Sequence, residues 1–220
     1  MGGAVATLPA PLASTGTCGR KTSGSALGTA SIAVQSGATL SGTGSHAGAA
    51  TFASGGIVSP GVSAGAATLT LGAATFQGSS VYNFDLRDAA GTAGTGWDLL
   101  QVSGALNLTA TDVSPFRINV TSLTTGDVAG PASNFNASDI RLWTLVNATG
   151  GISGFNPDAF QIDLTGFANT HDGLWSVAQV GDSLMLSYAG FTPVPEPAEW
   201  AVLSGIGLAG WALHRRRRGR

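Results

Sequence analysis

The sequence predicts an all-β fold, and three observations lead to it. From Ser23 onward, short β-type runs are separated by Gly, Ser, Asn and Asp, and many of them alternate apolar and polar residues. No stretch before Ala198 reads as an amphipathic helix. A four-residue theme also recurs: Gly-Ala-Thr-Leu at 37–40, Ala-Ala-Thr-Phe at 49–52, Ala-Ala-Thr-Leu at 66–69 and Ala-Ala-Thr-Phe at 73–76. Short strands punctuated by glycine, with slender side chains, favour the stacked coils of a β-solenoid, because each corner must be tight. The spacing is irregular, so an array of identical units is not expected. The alternative is a β-sandwich built from ordinary hairpins.

In chain order, the expected strands are Ala30–Val34, Ala38–Leu40, Ala50–Phe52, Ala67–Leu71, Ala74–Phe76 and Val81–Leu86. They continue with Leu99–Val102, Ala105–Ala110, Phe116–Val120, Ile140–Val146, Phe160–Leu164, Leu174–Val180 and Ser183–Tyr188. Period-two patterning is clear where Leu106 and Leu108 alternate with Asn107 and Thr109, and where Leu184 and Leu186 alternate with Met185 and Ser187. With few charges available, Thr, Ser and Asn must supply the polar outside.

Residues 57–71 (IVSPGVSAGAATLTL), 80–86 (SVYNFDL) and 97–108 (WDLLQVSGALNL) resemble the β-helical passenger repeat of autotransporter-type adhesins. In those repeats a Ser-Pro-Gly turn precedes a strand, an acidic strand follows, and an Asp-containing strand leads into the next coil. The resemblance covers roughly residues 30–110 and implies a right-handed parallel β-helix. Residues 111–192 are less repetitive, carry Trp143 and Trp175, and are expected to continue the β structure or cap its open end.

The C-terminus has a different composition. Residues 193–197 (PVPEP) form a stiff proline linker, which can neither continue a helix nor donate to a sheet. Trp200 to Leu213 carries no charge, with Trp200, Leu203, Ile206, Leu208, Trp211 and Leu213 as its large apolar residues. As a helix this stretch rises about 21 Å, a short transmembrane span against a hydrocarbon core of roughly 30 Å. Snorkelling arginines, interfacial tryptophans and local thinning reduce the mismatch. Arg215, Arg216, Arg217, Arg218 and Arg220 supply five of the ten basic side chains, which assigns the tail to the cytoplasm and residues 1–192 to the other side.

Val194, Pro195, Glu196 and Pro197, then the apolar run containing Gly207 to Trp211, then the arginine cluster, resemble a PEP-CTERM sorting signal of Gram-negative bacteria. That resemblance implies recognition by a membrane-embedded exosortase, cleavage near the Pro-Glu-Pro, and transfer of the body from the inner membrane to the cell surface or extracellular matrix. It covers the tail alone and concerns address, not activity. The expected organisation is an unstructured segment at 1–22, solenoid repeats at 23–110, a continuation or cap at 111–192 and the sorting signal at 193–220.

Only 10% of residues are charged and 33 are glycine, a composition unlike that of a cytosolic enzyme. Residues 1–213 hold 5 basic and 12 acidic residues, a balance of 5 − 12 = −7, so nucleic acid is not an expected partner. Cys18 is the single cysteine, which excludes an intramolecular disulfide. Residues 1–14 lack a basic n-region and are broken by Pro9 and Pro11, so they make a poor secretory signal. Export needs one, and the true start is expected to lie upstream of Met1 or the chain to be truncated.

Candidate chemistry is sparse. Gly181-Asp182-Ser183-Leu184 spells the string of the GDSL esterase family, but the only later histidine is His214 in the tail, and a serine without a positioned base is a weak nucleophile. A turn before the last strand is the better reading. Asp85, Arg87 and Asp88 form the densest charged group of the body, and a surface ion pair is the expectation. A polysaccharide lyase would also need a calcium-binding carboxylate cluster and a second base, for which only Asp98 and Asp112 are near in sequence. His46 and His171 lack a second histidine at ligand spacing, and neither a P-loop, a GxGxxG nor an HExxH occurs. Asn107, Asn119, Asn136 and Asn147 lie in Asn-x-Ser/Thr sequons.

Taken together, these readings predict no catalytic residue, metal or cofactor, and a structural or adhesive role at the cell surface. The expected partners are an exosortase-type membrane protease, the membrane through residues 198–213 before processing, and extracellular polysaccharide or other surface proteins. The alternative is a carbohydrate-active enzyme, lyase or hydrolase, on a β-helix scaffold.

Overall fold

The computed structural model describes residues 29–61 and 64–191. The expected sorting motif, transmembrane helix and basic cluster, and the segment 1–22, lie outside the described residues. Among the described residues the chain is almost entirely β, as the alternation and the glycine punctuation predict. The strands are β1 (Ile32–Val34), β2 (Thr39–Gly42), β3 (Ser45–Phe52), β4 (Ile57–Pro60), β5 (Thr68–Phe76), β6 (Val81–Leu86) and β7 (Leu99–Val102). They continue as β8 (Leu106–Leu108), β9 (Phe116–Ser122), β10 (Ile140–Ala148), β11 (Ile152–Ser153), β12 (Phe160–Gly166), β13 (Leu174–Val180) and β14 (Ser183–Ala189). A 3-10 turn at Pro157–Ala159, capped by the Asn156 side chain, leads into β12. No helix among the described residues is long and apolar enough to cross a membrane.

The strands form two sheets. One has five strands in the order β12-β9-β6-β4-β2, and every pair in it is parallel. The other has nine, running β1-β3-β5-β7-β10-β14-β13, with β8 beside β5 and β11 beside β8. Its pairs are parallel except at β10-β14 and β14-β13. From β1 to β6 the chain moves to the opposite sheet at every strand, so each strand lies on the one two places earlier. Pairing carries on past residue 110, through β6 with β9 and β7 with β10.

Two expectations need correction. The runs at 67–71 and 74–76 are one strand, β5, whose halves pair with β7 and β8 respectively. The Ser-Pro-Gly stretch is not a turn preceding a strand: Ser59 and Pro60 end β4, and Gly61, at φ +95°, makes the corner. Proline is tolerated there because the final position of a strand need not donate. The tight hairpin is β13–β14, turned at Gly181 (φ +57°) and Asp182, the glycine-first pattern of a two-residue loop. The GDSL string is thus a hairpin turn, as expected, and the Ser183 hydroxyl accepts from Asn147 Nδ2 at 3.1 Å.

One core lies between the sheets, built from the inward half of each alternation. In β6, Tyr82, Phe84 and Leu86 are buried while Val81, Asn83 and Asp85 face out. The recurrent Ala-Ala-Thr-Phe acquires its physical meaning here. Ala49 to Phe52 register residue for residue with Ala73 to Phe76, so Phe52 stacks on Phe76 with ring centroids 4.8 Å apart. Phe116 follows at 4.7 Å from Phe76, and Phe160 at 6.0 Å from Phe116. A column of aromatic rings therefore runs along the stack, each contact adding to the apolar burial.

A second column is made of glycine. A Cβ on Gly72 would lie 2.8 Å from the Gly48 carbonyl oxygen, one on Gly104 2.6 Å from that of Gly72, and one on Gly150 2.8 Å from that of Gly104. At this line the nine-stranded sheet divides into two arms, one carrying β7 and the other β8. Toward the C-terminus, Trp143 is fully buried, stacks on Trp175 at 5.6 Å, and donates from Nε1 to the Ala89 carbonyl at 3.1 Å. Phe135, Phe167 and Tyr188 complete the cluster around Trp175.

Gly104→Ala is expected to lower unfolding stability by ~1–3 kcal/mol, because the new methyl meets backbone that cannot move independently. Gly126→Ala, whose Cβ would meet only Thr124 Oγ1 at 3.8 Å, serves as the control. Denaturant titrations of the two variants check this, with the loss expected in Gly104→Ala alone.

Candidate functional site

The outward half of the same alternation forms rows of polar side chains across the strands. On the five-stranded sheet, Ser41 registers with Ser59, Asn83 with Asn119, and Asn119 with Asp163. Val58 registers with Tyr82, so the row continues from Ser59 to Asn83. These five residues floor a groove of about 540 Å³. Asp85 lines it one pleat further along β6, opposite Thr121.

Comparable rows cross the nine-stranded sheet, but they are closed by their own hydrogen bonds. Gln101 Nε2 donates to Asn147 Oδ1 at 3.1 Å, Asn147 Nδ2 donates to Ser183 Oγ at 3.1 Å, and Ser153 Oγ donates to Asn107 Oδ1 at 3.1 Å. In the groove, Asn119 Nδ2 donates to Asn83 Oδ1 at 3.0 Å, while Asn119 Oδ1 is itself buried and has no partner among the described residues. The next residue in its row is Asp163, an acceptor that cannot donate when ionised. Asp163 is held below the usual carboxylate range by donors from the Thr165 backbone N–H and hydroxyl, so it stays charged.

Asp85 differs. Burial raises its pKa above the ordinary value, the Gly65 N–H donated at 3.1 Å pulls it down, and the nearby Asp127 charge raises it again. Behind it lies Asp98, fully buried, accepting from the Ala67 N–H at 2.8 Å and the Asp85 N–H at 3.0 Å. Burial outweighs those two donors, and the Asp85 charge adds to it, raising Asp98 to about 9. No lyase-like grouping is assembled among the described residues. Arg87 pairs with Asp127 at 3.0 Å rather than with Asp85 or Asp88, and Asp88 accepts from Asn134 Nδ2 at 2.8 Å. The surface ion pair thus exists, but its partner comes from a loop 40 residues away.

His46 is buried on β3 and neither ring nitrogen has a partner among the described residues, whereas His171 packs edge-on against Phe167 and joins Nδ1 to the Asn169 carbonyl at 2.9 Å. Among the described residues no group of three or more His, Cys, Asp or Glu side chains could hold a metal ion. Of the sequon asparagines, Asn107 and Asn136 are exposed, while Asn119 and Asn147 are tied into rows. Sequence reasoning anticipated a Thr/Ser/Asn face without locating it. The outward Ser41, Ser59, Asn83 and Asn119 were visible as alternate positions, but their alignment depends on inter-strand register. No protein-family model matches this chain, and no curated protein matches it.

Asp98 sets a pH dependence whose sign follows from its raised pKa. Folding favours the protonated acid, so its contribution is whole below the ordinary carboxylate range and is lost as pH rises toward about 9. Asp85 shifts in the same direction. The thermal midpoint is expected to fall between about pH 5 and about pH 9, and Asp98→Asn to flatten that fall, as read by circular dichroism melts.

Proposed function

We propose that this chain is an exported structural or adhesive protein of the cell surface or extracellular matrix. Its body is a right-handed parallel β-helix, and its tail is a PEP-CTERM signal. The observation that carries this reading is the parallel stacking of successive strands in two sheets with polar rows turned outward. A strand that returns to its own sheet through a crossover does so in the right-handed sense by a general rule of chain connection, which supports the handedness. Such a stack offers long, regular, hydroxyl- and amide-bearing faces, suited to contact with polysaccharide or neighbouring surface proteins.

The tail supplies the address. An exosortase-type protease recognises Val194 to Pro197 while residues 198–213 lie in the inner membrane and the arginines stay in the cytoplasm. Cleavage then releases the body to the surface. The second reading, a carbohydrate-active enzyme, draws on Asp85, an acid with raised pKa lining a groove. It is the weaker one: Asp85 and Asp163 stand two strands and one pleat apart, about 12 Å between strand positions, whereas paired glycosidase carboxylates lie roughly 5–10 Å apart.

Intact mass and location of the mature protein in its host, with and without Glu196→Ala, test the sorting. The expected result is a surface species ending near Pro195 to Pro197, lost in the variant. A full-length protein retained in the inner membrane would mean a permanent anchor and would remove the matrix reading.

A further inference from the structure

The groove of the five-stranded sheet differs from the other polar faces in ways that specify a ligand. Its floor is a straight row of five side chains, Ser41, Ser59, Asn83, Asn119 and Asp163, one from each strand. At the ordinary inter-strand spacing the row extends about 19 Å, at right angles to the strands. The step from one strand to the next, about 4.8 Å, is close to the length of one pyranose unit in an extended glycan. Hydrogen-bonding demand along the row is lopsided. Asn119 Nδ2 is spent on Asn83, and the Asp163 carboxylate beside it accepts but offers no proton, so this end calls for a ligand rich in hydroxyl donors. Among the described residues the lining has no aromatic side chain, so recognition rests on hydrogen bonds rather than stacking.

Charge narrows the class further. Among the described residues no Lys or Arg lines the groove, Asp163 is ionised, and residues 29–191 contain ten Asp and three Arg. Of the three, Arg87 and Arg141 are engaged by Asp127 and Asp139, and Arg117 donates to Gln161 in the adjacent row. An acidic polymer would meet a field of its own sign.

We propose that this groove binds an uncharged polysaccharide laid along the row from Ser41 to Asp163, one sugar unit per strand, and discriminates against acidic polysaccharides. The proposal rests on the reading of the polar face as a contact surface, and it names the polymer which that face selects. Ser41 and Ser59 hydroxyls either donate or accept, so they suit ring and exocyclic oxygens at one end. The Asp163 carboxylate accepts from sugar hydroxyls at the other.

The test is affinity electrophoresis of the full chain in mild detergent, in native gels containing a soluble β-glucan, a galactomannan or polygalacturonate. Retardation by at least one of the two uncharged polymers, and none by polygalacturonate, is expected. Ser59→Trp blocks the second position of the row and should weaken retardation at least about ten-fold, equivalent to some 1.4 kcal/mol. Thr70→Trp, on the outward face of the nine-stranded sheet, should leave it unchanged. Ser41→Trp repeats the block on the edge strand should Ser59→Trp fail to fold. The inference is overturned if neither uncharged polymer retards the protein, if polygalacturonate retards it as strongly, or if Thr70→Trp is as damaging as the groove variants. Surface location without glycan retention would remove this inference and leave the sorting reading intact. Glycan retention by a permanently anchored protein would do the reverse.

Discussion

Neighbouring parallel strands of this chain approach one another closely at one line across the sheet, and glycine makes that approach possible. Along Gly48, Gly72, Gly104 and Gly150 there is no room for a methyl group between one carbonyl oxygen and the next Cα. The bond from the Gly150 N–H to the Gly104 carbonyl, 3.0 Å, shows the same close approach in hydrogen-bonded form. Everything else in the body inherits this spacing. Parallel register sets Phe52 beside Phe76 in one sheet and Phe116 beside Phe160 in the other, and Phe76 meets Phe116 across the core between them. A larger residue at the glycine line would displace a strand and misalign both columns.

The outward rows are the other product of that register. Parallel pairing sets Asn beside Asn and Ser beside Ser, so side-chain ladders form wherever each member can both give and receive. On the nine-stranded sheet Gln101, Asn147 and Ser183 do so, and the row is self-sufficient. On the five-stranded sheet the row runs from hydroxyls through amides into a carboxylate, so the ladder ends on a charged acceptor at Asp163. The same local chemistry therefore yields a closed row on one side and one that ends on an acceptor on the other. Asp98 is an internal counterpart: a carboxyl used as a peg between the Ala67 and Asp85 backbones, kept protonated by its burial.

Much of the strand pattern was legible from the residues alone. Val81–Leu86, Leu99–Val102 and Leu174–Val180 have the expected bounds, because their alternation is clean and turn residues flank them. β4 escaped because Pro60 marks a turn in most contexts, and β11 because two residues carry no period. The Ala-Ala-Thr-Phe recurrence signalled stacking without saying which copies meet. The copies at 49–52 and 73–76 pair directly, whereas 37–40 contributes to the opposite sheet. Arg87 was expected to pair locally, but strand geometry turns its side chain to Asp127, which no sequence spacing announces.

By itself the sequence determined the all-β class, the inward and outward half of most strands, and a small, acidic, hydroxyl- and amide-rich composition. Those are properties of local periodicity and of residue type, and they do not depend on which strand meets which. Tertiary structure alone decided the groove. Ser41, Ser59, Asn83, Asn119 and Asp163 are separated by 18 to 44 residues from one to the next, and only parallel register brings them into one line. It also decided which row is closed and which is open, because a hydrogen bond between strands depends on the neighbour, and the neighbour is chosen by the stack.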